Sequence, residues 1–280
     1  MKQKKLKSIP ICYYSNENKE KEAILFLHPA FANHHCFDEQ FTCFSKQYHT
    51  VALDMIGHGN SQGIKTKHKI HNTREHIYEM LDLEQIKAVH LVGVSLGSLM
   101  AQDFANRYPE RTLSLCAVGG YDINHFDKAI EKQNQRQQLN FMLKMLVSMD
   151  WFSKSNAKLV AIAPAAQDKF YEMNRSVKRS SLPYMSTLTQ IMNRFPYTER
   201  TYPLSVCYGE FDNDLAILLS KKWHELEPDS RIITIINAGH CANMDNPAAF
   251  NEMLNEHLQI IHAAYDSAGS EHLRRFGLRA

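Results

Sequence analysis

VHLVGVSLGSLM, residues 89–100, changes character at its centre. Up to Val94 it is a short apolar run with β-branched residues, the composition of a buried strand. From Leu96 onward the apolar residues recur at helical spacing, through Leu99, Met100 and Phe104. Between the two lies Gly93-Val94-Ser95-Leu96-Gly97, a G-x-S-x-G turn that joins strand directly to helix. The glycines have a geometric purpose. The turn is tight enough to hold the serine in a strained conformation, and side chains at the flanking positions would strike the neighbouring strand and helix. The Ser95 hydroxyl is thereby lifted clear of the backbone at a helix N-terminus.

Working outward, the same kind of short apolar run recurs at EAILFLH (22–28), HTVALDM (49–55), LSLCAVGG (113–120), PLSVCYGE (203–210) and RIITIINAG (231–239). Helical patterns lie between them: Phe37, Phe41, Phe44 and Tyr48, and later Phe250, Met253, Leu254, Leu258 and Ile261. Pro109 closes the helix that follows Ser95, and Pro247 opens the last one. Strand and helix in alternation predict an α/β fold, a doubly wound, mostly parallel sheet covered on both faces. One stretch breaks the rhythm. From Tyr121 to about Pro196 no convincing strand occurs, and EKQNQRQQ gives way to patterns that suit several short helices. The expected organisation is a core of residues 1–120 and 197–265, a helical insertion at 121–196, and a tail at 266–280 without periodicity.

Bulk properties exclude several function classes. Net charge is +2, with 32 Lys+Arg against 30 Asp+Glu, so no electrostatic footprint for nucleic acid or anionic membrane is present. The basic start, MKQKKLK, is followed by a segment broken by Pro10 and soon polar, so no export signal is expected. No apolar run reaches membrane-spanning length. Six cysteines lack CxxC spacing, and Cys12, Cys116 and Cys207 fall inside apolar strand-like runs, which suits reduced thiols in a cytoplasmic protein. His34, His35, His68 and His71 lie in no metal-binding frame, so no metal is expected.

A serine hydroxyl is a poor nucleophile near neutral pH and needs a base to take its proton and a third group to hold that base. PLSVCYGEFDND places Asp212 just past one strand, and INAGHCANMDNP places His240 just past the last. Ser95, Asp212 and His240 thus follow the order Ser…Asp…His, each at the carboxyl end of an expected parallel strand, the edge where sites in open α/β sheets gather. Asp214 and Asp122 are the other candidates for the acid. His28 and His58 read as turn-shaping residues, Asp54 as a carboxylate that satisfies loop amides, and Cys241 as a small buried residue.

With these residues in place, the chain resembles the α/β-hydrolase superfamily, in particular its small capped serine esterases and lactone hydrolases, over roughly residues 20 to 265. LDMIGHGNSQG (53–63) looks like that family's D-x-x-G-H-G-x-S loop, and GEFD and AGHCANMDNP look like its acid and histidine loops. The resemblance implies Ser95 as nucleophile, Asp212 as orienting acid, His240 as general base, and the insertion as a cap over the site. It also implies an oxyanion hole from two backbone N–H groups, those of Leu96 and Ala30, with Phe31 the substitute if the turn is shifted by one. The family's His-Gly-x turn is here His28-Pro29-Ala30. Proline has no N–H, but the glycine it replaces is not the donor, so the donor count survives if the turn keeps its path.

The function this implies is hydrolysis of a small to medium, rather apolar carboxylic ester or lactone through an acyl-enzyme, with no cofactor. Same-triad relatives that cleave carbon–carbon bonds, form peracids or transfer acyl groups are alternatives. So is a ligand sensor with little turnover, the one reading that calls for a protein partner. Phe31, Trp151, Phe152 and Tyr184 are the candidates for lining the substrate pocket, with Phe170 and Tyr171 further aromatics of the insertion.

Overall fold

The computed structural model describes residues 1–126, 144–145, 147–195 and 200–267. In chain order the elements are β1 (Lys2–Lys5), β2 (Cys12–Ser15), β3 (Ala23–Leu27), α1 (Asp38–Phe44), β4 (His49–Leu53), α2 (Thr73–Glu84), β5 (Val89–Val94), α3 (Leu96–Arg107) and β6 (Thr112–Val118). After β6 come α4 (Met149–Val160), α5 (Pro164–Arg175), α6 (Leu182–Met185), β7 (Leu204–Gly209), α7 (Asp214–Leu226), β8 (Arg231–Ile235), α8 (Ala242–Asp245) and α9 (Pro247–Ser267). The strands form one sheet in the order β1-β2-β4-β3-β5-β6-β7-β8, parallel from β4 to β8 and antiparallel at the β1–β2 and β2–β4 pairings.

Alternation along each strand sends residues to two separate cores. Leu25 and Leu27 of β3 face one side with Ile77, Met80 and Leu81 of α2, Phe104 of α3 and Trp223 of α7. Ile24 and Phe26 face the other, with Phe41 and Phe44 of α1 and Phe250, Leu254 and Leu258 of α9. Helices on both faces explain why the central strands are fully buried and read as continuous apolar runs.

All six expected strands are present. β1 was not expected. Its sequence, KQKK, has no apolar residue, and it is an exposed edge strand whose lysines discourage further pairing, with Lys4 bonded to Glu17 and Glu84 at 2.8 Å each. Nor was α2, whose inward face mixes Thr73, His76 and Glu84 with its apolar residues and so dilutes the pattern. α4, α5 and α6 lie between β6 and β7, and no strand occurs among the described residues of this insertion. EKQNQRQQ (131–138), the 196/197 boundary and most of the expected tail lie outside the described residues. All six cysteines are free thiols. Among the described residues no helix is long and apolar enough to cross a membrane.

The turn between β5 and α3 is closely packed. A Cβ on Gly97 would sit 2.0 Å from the Leu27 carbonyl oxygen, and one on Gly93 would sit 2.4 Å from that of Gly97. Both contacts are with backbone, which has little room to give, so α3 is set directly against the end of β3. Replacing Gly97 by alanine is expected to destabilise the protein by about 1–3 kcal/mol in urea denaturation. A loss under about 0.5 kcal/mol, ordinary for a tolerated surface change, would contradict this packing.

Candidate active site

Ser95 is the last residue before α3, at φ 53° and ψ −117°. A non-glycine residue at positive φ is costly and persists only when its surroundings fix it. Here the Ser95 N–H donates to the Val118 carbonyl of β6 at 2.7 Å, and its own carbonyl accepts from Ser98 N–H at 2.9 Å. The hydroxyl is thereby presented to His240, whose Nε2 lies 2.8 Å from Ser95 Oγ.

The other imidazole nitrogen is held as firmly. His240 Nδ1 lies 2.8 and 3.0 Å from the two oxygens of Asp212, and Asp212 Oδ1 also accepts from the Asn213 N–H at 2.7 Å and side-chain amide at 2.9 Å. An ionised carboxylate only accepts, so Nδ1 carries the proton and Nε2 presents its lone pair to the Ser95 hydroxyl. Burial disfavours the imidazolium, but the Asp212 charge and hydrogen bond outweigh it and raise the His240 pKa above its ordinary value. The other two carboxylates lie elsewhere. Asp122 holds His125 at 2.7 Å, and Asp214 is exposed on the first turn of α7.

The loop after β3 supplies the opposite wall. Ala32 N–H reaches back to the Pro29 carbonyl at 3.3 Å, closing a turn in which Phe31 takes φ 63°. His28 shapes this turn: its Nε2 accepts from Met55 N–H at 3.0 Å, so Nδ1 is protonated and donates to the Pro29 carbonyl at 2.8 Å. Burial lowers its pKa and keeps it neutral in that role. His58 Nδ1 likewise bonds the Ile56 carbonyl, and Asp54 accepts from the His34 and Asn60 N–H groups. Among the described residues, neither the Ala30 nor the Leu96 N–H donates to a protein acceptor. Leu96 is the first residue of α3, where an amide has no partner within the helix.

Ser95 and His240 open on a cleft of about 250 Å³, walled by the β3 loop, Gly119–Tyr121 after β6, α7 and the insertion. Phe31 lines it, and Phe170 of α5 does too. Phe152 is fully buried behind Phe31, with ring centroids 5.1 Å apart. Of the four candidates for lining the pocket, Phe31 alone does so: Phe152 packs behind it, and Trp151 and Tyr184 lie away from the cleft. Trp151 is half exposed on the outside of α4, one residue and so about 100° around the helix from Phe152. Tyr184 is spent on the Ile64 carbonyl, to which its hydroxyl donates at 2.6 Å. Asn156, Leu159 and Val160 of α4 and Leu215 and Leu219 of α7 line the cleft and were not anticipated. Asn156 sits one turn after Phe152, and this spacing was the available signal.

The insertion is tied to the histidine loop by one carboxylate. Asp245 Oδ1 accepts from Ile162 and Ala163 N–H at 2.9 Å each, between α4 and α5, while Oδ2 accepts from Gly239 N–H at 2.8 Å. Beside it, Cys241 N–H donates to the Val160 carbonyl at 2.7 Å. Both neighbours of His240 are therefore bonded to this tie, one to its carboxylate and one to α4.

Comparison with known proteins agrees with this fold. The sequence profile of the alpha/beta hydrolase fold family matches residues 22–247. The chain belongs to the α/β-hydrolase family. It is similar to an (E)-2-((N-methylformamido)methylene)succinate hydrolase of Acinetobacter baylyi, 21% identical over 248 residues, which span 87% of this chain and 92% of that one. Among solved structures, it resembles that of a carboxylesterase study on Nitrososphaera gargenis (TM-score 0.78, 16% identity, 94% and 100% of the two chains). It also resembles an enol-lactonase of Burkholderia xenovorans LB400 (TM-score 0.76, 14% identity, 92% and 100%). At such identities the structural likeness concerns the fold.

The electrostatics make a direct prediction for this α/β hydrolase. In a proton NMR titration the His240 ring is expected to titrate above 6.5, because Asp212 stabilises the charged form. In Asp212→Asn only the burial penalty remains, and the midpoint should fall below 6.5. Equal midpoints in the two proteins would contradict the pairing.

Proposed function

We propose that this α/β hydrolase is a serine hydrolase that cleaves an uncharged, small to medium carboxylic ester or lactone. The observation that carries the proposal is the hydrogen-bonded sequence Ser95–His240–Asp212 opening on a mostly apolar cleft. His240 Nε2 takes the hydroxyl proton as Ser95 Oγ attacks the substrate carbonyl, and Asp212 stabilises the imidazolium that forms. The developing oxyanion is received by the Ala30 and Leu96 amides, at the start of α3 where the helix dipole adds to their effect. His240 then returns the proton to the leaving alkoxide, and the same histidine activates water to release the acyl group from Ser95.

The restriction to uncharged substrates comes from the walls. Among the described residues that line the cleft, none is lysine or arginine, and His240 is the one ionisable base. A carboxylate brought into such a place without a partner is costly. The Acinetobacter baylyi relative is named for a succinate, so the substrate proposed here departs from it. Asn156 is buried, with 5% of its surface exposed, and its amide is the polar group that α4 offers to an ester or lactone oxygen remote from the scissile bond.

An ester and lactone panel, run on the wild type and on Ser95→Ala, tests both points. Short and medium neutral p-nitrophenyl esters should be turned over, with kcat falling by about 10⁴–10⁶ in the variant. A free carboxylate on the acyl chain should reduce kcat/KM by at least about tenfold, which is about 1.4 kcal/mol. Turnover retained in Ser95→Ala would overturn the nucleophile, and preference for the carboxylated ester would overturn the substrate class.

A further inference from the structure

At the opposite end of the sheet from Ser95, three chemically suited side chains converge. Glu22 immediately precedes β3, and His90, the second residue of β5, is paired with Ile24, so the β3–β5 register sets Glu22 and His90 as diagonal neighbours on one face of the sheet. His262 comes down from α9. Glu22 Oε2 lies 3.4 Å from His90 Nε2 and 2.7 Å from His262 Nε2, and the three ligand atoms all lie within 4.8 Å of one another. His90 is five residues before Ser95, about 16 Å along an extended strand, so this cluster is separate from the cleft.

We propose that Glu22, His90 and His262 form a binding site for a divalent transition-metal cation, zinc being the best fit. Two imidazoles and a carboxylate are ligands zinc takes at about 2.0–2.2 Å, which in a tetrahedral site puts donors about 3.3 Å apart. The Glu22–His90 distance of 3.4 Å already meets this, the Glu22–His262 contact needs to open by about half an ångström, and the two imidazole nitrogens, up to 4.8 Å apart, need to close by as much as about 1.5 Å, a movement that half-exposed His262 on the last helix can supply. Solvent reaches the site, since the Glu22 and His262 side chains are 25% and 40% exposed while His90 is buried at 1%. Water fills the fourth position.

The surroundings of His90 accommodate this exchange. His90 Nδ1 lies 2.8 Å from Ser114 Oγ, Ser114 Oγ lies 3.0 Å from His257 Nε2, and His257 Nδ1 lies 2.7 Å from Ser205 Oγ. Without metal, neutral His90 donates Nε2–H to Glu22, Ser114 donates to His90 Nδ1, His257 Nε2–H donates to Ser114, and Ser205 donates to His257. With metal, Nε2 gives its lone pair to the cation, the ring proton sits on Nδ1, and every hydrogen bond in the series reverses. Each ring keeps one proton, with half-exposed His262 passing its Nε2 proton to Nδ1 by way of solvent; each hydroxyl keeps its own, and the six-coordinate aqueous cation releases five waters as it takes three protein ligands and keeps one water. In both directions His90 Nδ1, Ser114 Oγ and both His257 nitrogens stay paired, so the neutral ring can offer Nε2 without orphaning Nδ1. The spacing of 68 and 240 residues from Glu22 to the two histidines hides the set from a motif search.

The site joins β3, β5 and α9, so occupancy should stabilise the docking of the last helix. The test is titration of the chelator-treated full chain with Zn²⁺ by calorimetry, and with Co²⁺ by visible spectroscopy, alongside thermal melting. The expected result is 1:1 binding with a dissociation constant of about 10 µM or tighter, intense Co²⁺ d–d bands of a four-coordinate site, and a higher Tm. Glu22→Gln and His262→Ala, both changes at the surface, should each weaken binding by at least about tenfold. His35→Ala, which removes an exposed histidine elsewhere, should not. Circular dichroism establishes that each variant is folded. Absence of 1:1 binding tighter than about 100 µM, or wild-type affinity in both ligand variants, overturns the proposal.

Discussion

The positive φ of Ser95 is the constraint on which the rest of the cleft depends. Such a conformation costs about 1–3 kcal/mol for a residue with a side chain. It is held by the bond to β6 and by the seating of Gly97 on the Leu27 carbonyl, so the strain is borne by a closely packed part of the sheet. This arrangement turns the Ser95 hydroxyl toward His240 and leaves the Leu96 amide at the open end of α3. The helix and the strand are thus more than scaffold. They determine where a charge can develop and which groups can meet it.

The imidazole needs a second kind of support, because His240 lies in a loop rather than on a strand. Asp212 fixes one ring nitrogen, and Asp245 fixes the backbone beside it while holding the turn between α4 and α5. Loop and insertion therefore share a carboxylate, and a movement of α4 large enough to widen the cleft must break or carry with it the bonds at Gly239 and Cys241. Substrate access and the placement of His240 are mechanically linked through these contacts. The apolar wall contributed by α4 is part of the same unit, since Val160 both lines the cleft and accepts from Cys241.

Much of this was legible in the sequence because buried parallel strands announce themselves. Their runs are continuously apolar and end in turn residues; Ser95 and Asp212 follow such ends, and His240 follows β8, the half-exposed strand at the sheet edge. Other features had no one-dimensional signal. Asp122 and Asp214 follow strands as Asp212 does, and only the position of the His240 ring separates them. Helical periodicity gives a spacing without a phase, so Trp151 and Phe152 look alike in sequence although one faces out and the other packs on Phe31. Asn156 is a polar residue on an inward face, and β1 is a charged strand at an open edge. Both depart from the hydrophobic pattern for reasons that tertiary contacts alone supply.

The two ends of the sheet carry different chemistry. The carboxyl ends of β5, β7 and β8 lead to a hydroxyl hydrogen-bonded to an imidazole and facing mostly apolar walls, while the amino ends of β3 and β5, with α9, gather imidazoles and a carboxylate. The central claim concerns the first of these: that Ser95 Oγ is a nucleophile because of its neighbours. Labelling the native protein with a fluorophosphonate and mapping the modified peptide tests it most directly. A single stoichiometric adduct on Ser95, slowed strongly by His240→Ala, is the predicted result. A folded wild-type protein that remains unlabelled, or that is labelled at some other residue, would contradict the account.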